Sequence, residues 1–118
     1  MPHSQPEGYC SVASDPQGLP VLVLHAWWGL NADIQALCDR LAAEGLTAFA
    51  LDLYHGQVAK TIAAAEELGS ALDSRFEQVL AEIAQAADWL SKNYDRGQQG
   101  ISLVAFSLGV WYALEQSN

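Results

Sequence analysis

Hydrophobic positions along the chain alternate between two kinds of pattern. Residues 20–26, PVLVLHA, are a continuous apolar run rich in β-branched side chains, which suits a strand covered on both faces. Residues 46–54, LTAFALDLY, and 101–106, ISLVAF, read as two more strands of that kind. Between them the period changes to that of a helix. Ile34, Leu37, Cys38 and Leu41 fall at i, i+3, i+4 and i+7, one stripe of an α-helix that Asn31 is placed to cap and Gly45 to end. A short helix is predicted over 62–72. A longer one carries the stripe Phe76, Val79, Leu80, Ile83, Ala87 and Leu90, with Ser74 and Glu77 spaced as a capping box. A last helix is predicted over 108–116. Residues 1–18 are rich in Pro, Gly, Ser and Gln and read as an irregular lead-in with a short edge strand at 8–13.

The order β-α-β-α-α-β-α, in one domain over 1–118, predicts a three-layer αβα fold. Its core is a parallel three-stranded sheet with right-handed crossovers and strand order 2-1-3. In that order the topological switch point lies between the first and third strands, and ligands bind outside their carboxyl ends. Two segments meet there: HAWWGLN, residues 25–31, and FSLGV, residues 106–110.

Composition narrows the function. The 118 residues are 51% hydrophobic and carry 14 acidic against 5 basic residues, a net charge of −9. Five scattered cations build no basic patch, so nucleic acid and anionic membrane surfaces are excluded as partners. The N-terminus has no apolar leader-like core and no run reaches membrane-spanning length, so a cytoplasmic location is expected. Cys10 and Cys38 do not form a disulfide framework, and Cys38 reads as a small core residue. With no CxxC and no histidines at ligand spacing, no metal site is expected. No Gly-rich phosphate loop follows a strand, which sets nucleotide binding aside.

The candidate chemistry lies at the third strand. Ala105-Phe106-Ser107-Leu108-Gly109 follows the strand-to-helix pattern G-x-S-x-G, with Ala105 for the first glycine. That corner exposes a serine hydroxyl as a nucleophile, although the same serine would also serve as a plain helix N-cap. An oxyanion hole at such a corner takes the amide after the nucleophile, here Leu108, and one from the loop after the neighbouring strand, here Trp27. Trp28, which could equally be a core residue, would wall an apolar acyl pocket with Trp27.

These segments together, VLVLHAWWGLNADIQALCDRLAAEGLTAFALDLYHG followed by GISLVAFSLG, resemble the first half of the dienelactone hydrolase family, which has the α/β-hydrolase fold. The likeness runs from about residue 18 to 115. It implies cleavage of an ester or enol-lactone through an acyl-enzyme, without a cofactor. Ser107 matches the nucleophile, Leu108 and Trp27 the oxyanion amides, and Asp52 an acidic residue that closes the second strand, here expected to anchor a turn. Three departures separate this chain from the best-known members. Serine replaces their cysteine; Ala26 stands where they carry a glutamate; and His55-Gly56-Gln57 occupies the neighbourhood of their substrate-binding arginine.

A serine needs a base, and the base an orienting acid. In this fold they follow the serine in the order acid, then histidine, yet no histidine follows Ser107. His25 and His55 are the upstream substitutes to test; His55 would have to span ~10 Å across the first strand. The predicted last helix is apolar on nearly every side, and the third strand would be an open edge. The chain is therefore expected to be a truncated hydrolase, poorly active alone, or one whose edge is covered by a second copy or a complementing chain. The alternative is a non-catalytic flavodoxin-like binding or dimerisation module.

Overall fold

The computed structural model describes residues 5–16, 18–25, 28–95 and 100–105. In chain order these form β1 (Gly8–Ser11), β2 (Val21–Leu24), α1 (Ala32–Ala43), β3 (Ala48–Leu51), α2 (Ile62–Asp73), α3 (Phe76–Tyr94) and β4 (Ser102–Ala105). The sheet order is β1-β3-β2-β4. β2 pairs parallel with both β3 and β4, and β1 pairs antiparallel with β3. The expected order of the three apolar strands is thus embedded in the sheet. The expectation of a purely parallel, three-stranded sheet is corrected: the sheet is mixed and has four strands. The lead-in supplies the extra one. GYCS is half-buried throughout, so it lacks the continuous apolar signal of the inner strands.

Strand alternation assigns the two faces. Val21, Val23, Ala48 and Ala50 face one side, where Ile34 and Cys38 of α1 cover them. Leu22, Leu24, Phe49 and Leu51 face the other, against Leu72 of α2 and Val79, Ile83, Ala86, Trp89 and Leu90 of α3. The Phe49 ring meets Trp89 at 5.1 Å between centroids. With both faces covered, every residue of β2 and β3 is buried, as their apolar runs predict. The three layers αβα follow directly.

Helix ends follow the sequence in two places and depart from it in one. Asn31 caps α1, its side-chain oxygen accepting from the Ile34 N–H at 3.2 Å. Gly45 follows the helix with φ 92°, the left-handed conformation that glycine adopts without strain. The Ser74–Glu77 capping box does not form. Ser74 continues α2 in a right-handed helical conformation, and its hydroxyl donates back to the Ala71 carbonyl at 2.7 Å. The junction residue of α3 is Arg75, which makes no side-chain cap. Ser74 had two competing uses, and the preceding helix took it. The predicted helix over 108–116 lies outside the described residues.

Candidate active site

β2, β3 and β4 end level with one another: Leu24 is the partner of both Leu51 and Ala105. The carboxyl ends of the three strands therefore lie side by side on one edge of the sheet. After β2 comes His25, fully buried. Its Nε2 accepts the Leu53 N–H at 3.1 Å, so the ring is neutral there and its proton sits on Nδ1. The Tyr54 ring packs on it at 4.8 Å. His25 thus ties the ends of β2 and β3 together, and the lone pair a general base would use is already committed.

After β3 the chain turns at once. Asp52, 7% exposed, directs one carboxylate oxygen to the Tyr54 N–H at 3.1 Å and the other to the Gly56 N–H at 2.6 Å. Asp52 is the turn anchor expected of it. The Arg75 guanidinium donates to the Leu53 carbonyl at 2.7 Å and fixes the same turn from the α3 side. Burial pushes the Tyr54 phenol up to about 12, with Asp73 adding to the effect, so that group stays neutral.

Trp28 is 38% exposed and is not a core residue. Its carbonyl accepts the Ala59 N–H at 2.9 Å, which joins the loop after β2 to the segment beyond the 52–56 turn. Gly29 makes that approach possible. Its φ is 98°, and a side chain there would press on the Gln57 carbonyl at 2.9 Å and the Tyr54 ring at 3.1 Å. Of the expected site residues, the structure brings Trp28 to the carboxyl edge of the sheet. His55 turns to the α3 side, where both ring nitrogens meet carboxylates, Glu7 at 2.6 Å and Glu82 at 2.9 Å. Accepting a proton from Ser107 would require breaking those contacts. Ala26, Trp27, Ser107 and Leu108 lie outside the described residues.

The sequence reading missed Glu7, Arg75 and Glu82. No local signal marks them, because each acts on a turn far away in the chain; Glu7 and His55 are 48 residues apart. The two cysteines are free, Cys38 buried and Cys10 half-buried. Burial, with smaller contributions from Asp39 and Cys10, pushes the Cys38 thiol up to about 11, and burial raises Cys10 against a weaker opposing hydrogen bond from Tyr94. Neither offers the thiolate that cysteine hydrolases use. No helix among the described residues is long and apolar enough to cross a membrane.

A mixed αβα sheet with its inner strands parallel, and their carboxyl ends side by side at one edge, defines a doubly wound α/β protein. Comparison with known proteins makes that class specific. The chain matches the Dienelactone hydrolase family over residues 7–118, and it belongs to that family. It is 41% identical over 69 residues to "Putative carboxymethylenebutenolidase" of Aquifex aeolicus, covering 56% of this chain and 29% of that protein. It is 32% identical over 103 residues to "Protein usf" of Aquifex pyrophilus, covering 83% of this chain and 45% of that one. Among solved structures, the one described as "m3DLH" superposes with a TM-score of 0.72 at 24% identity, over 88% of this chain and 45% of that chain. The chain spans less than half the length of each of these three relatives.

Proposed function

We propose that this chain carries the nucleophile of a serine hydrolase that cleaves a carboxylic ester or lactone. Ser107 Oγ attacks the carbonyl carbon, and the amides of Leu108 and Trp27 hold the developing oxyanion. The tetrahedral adduct collapses by breaking the bond to the alcohol oxygen, and water then hydrolyses the acyl-serine that remains. The observation that carries the reading is the level parallel pairing of Leu24 with Ala105. It supports placing the loop that begins at His25 beside the corner two residues past β4, as a shared oxyanion hole requires. Family membership supports the reaction class.

The base is neither His25 nor His55 in this reading, since the nitrogens either would use are engaged. The proton acceptor and its orienting acid come from outside residues 1–118, on a longer chain or a partner, and residues 1–118 alone turn over slowly. The name of the Aquifex aeolicus relative points to a butenolide for that protein. Here Ala26 and His55-Gly56-Gln57 replace the charged groups expected for a carboxylate-bearing lactone, and Trp28 is exposed near the site. An uncharged, apolar acyl group fits best, with no cofactor, nucleic acid or membrane involved, in the cytoplasm.

The test is acylation by p-nitrophenyl acetate followed by intact mass. We expect one acetyl group per chain, slowly released and lost in Ser107→Ala. A folded protein that takes up no acetyl group overturns the hydrolase reading. It would favour a non-catalytic, flavodoxin-like binding or dimerisation module, for which the exposed Leu103 on β4 speaks.

A further inference from the structure

His55 stands apart from the machinery assigned to Ser107, and its surroundings differ from those of an ordinary surface histidine. Its ring bridges two carboxylates from opposite parts of the chain. Nδ1 lies 2.6 Å from Glu7 Oε1 and Nε2 lies 2.9 Å from Glu82 Oε1. A neutral imidazole has one N–H, so it could donate to only one of them and would set a lone pair against the other. Only the doubly protonated ring satisfies both. The backbone of His55 is also held in the left-handed region, at φ 52°, where non-glycine residues are uncommon. The ring contacts add to the Asp52 and Arg75 hydrogen bonds that already hold this turn.

We propose that Glu7, His55 and Glu82 form a proton-operated clasp. With His55 charged it fastens the lead-in to β1, the 52–56 turn and α3 to one another; with His55 neutral it lets the lead-in and the turn loosen. The other charged group against the ring is Arg75, whose Nη1 lies 3.4 Å from His55 Nε2 and 3.1 Å from Glu82 Oε2. It shares Glu82 with the ring and opposes its charge. Asp52, in the same turn, is committed to the Tyr54 and Gly56 amides. The hydrogen bond to Glu7 holds His55 above the ordinary imidazole value of 6.5, aided by Glu82, while partial burial and Arg75 act the other way. A folded value above the unfolded one places the stabilisation below pH 6.5. It is lost as pH rises through the folded value. The clasp is closed in mild acid and opens toward alkaline pH. It does not depend on Ser107 being a nucleophile.

The reporter amides are already in place. The Asp52 N–H donates to the Glu7 carbonyl at 2.9 Å, and the Gly56 N–H lies one residue past His55. The experiment is an NMR titration of the histidine rings of the 118-residue chain, with amide hydrogen exchange of Asp52 and Gly56 corrected for intrinsic base catalysis. His55 should titrate above 6.5, protection of both amides should fall across that midpoint, and Glu7→Gln and Glu82→Gln should each lower the midpoint. His55→Gln identifies the resonance among the three histidines; if it fails to fold, the one ring whose midpoint both glutamine variants move identifies it equally. A midpoint at or below 6.5 overturns the clasp. So does amide protection indifferent to that midpoint, or one that still changes at the original pH in both variants.

Discussion

At one end of the sheet, β1 lies antiparallel on β3 and is fastened by side chains. The Tyr9 and Ser11 hydroxyls both donate to Asp39 Oδ1 of α1, at 2.7 and 2.9 Å, and the lead-in is tied through Glu7 to His55. At the other end of the described sheet, β4 pairs with β2 alone, Ser102 and Leu103 are exposed, and Val104 and Ala105 are only half-buried. β2 and β3 between them are fully buried. Burial and polar ties are thus concentrated on β1, β3 and β2, while the strand that leads to Ser107 is the least buried of those following β1. Regions with few buried apolar contacts open most readily. The proposed nucleophile follows, in sequence, the least buried of the parallel strands in the described sheet.

Substitutions should grade along that gradient. The largest effect is expected at Phe49, fully buried between the sheet and Trp89. Phe49→Ala should lower stability by ~3–5 kcal/mol in urea unfolding. Next comes Gly8→Ala on β1, because a methyl there would run into the Ala50 carbonyl and the Phe49 ring. A cost of ~1–3 kcal/mol is expected, with loss of exchange protection confined to β1 and the start of the 52–56 turn. The smallest effect belongs to β4. Leu103→Lys should change stability by no more than ~0.5 kcal/mol, and a loss as large as that of Phe49→Ala would erase the contrast between the two ends.

Much of this architecture was legible in the sequence. The apolar runs located β2, β3 and β4. Two-sided burial explains the continuous signal of β2 and β3, whereas β4 carries the same signal with Ser102 and Leu103 exposed and Val104 and Ala105 half-buried, against the expectation that it is covered on both faces. Asn31 and Gly45 bounded α1, because caps act within a few residues. β1 was legible as a segment but not as an antiparallel partner of β3; pairing is decided by distant chain, and its half-buried residues carry no face pattern. Ser74 misled because a helix end and a helix start competed for one hydroxyl. For the candidate site, Trp28 reached the expected edge and Asp52 anchored its turn. The engagement of His25 by Leu53 and of His55 by Glu7 and Glu82 is tertiary and left no trace in local spacing.

The central claim is that Ser107 is a hydrolase nucleophile. The most direct measurement is fluorophosphonate labelling of the folded chain, with the adduct mapped by peptide mass. The account predicts one adduct per chain, on Ser107 and absent from Ser107→Ala. An adduct on any other residue, or none in protein that unfolds cooperatively, would contradict it.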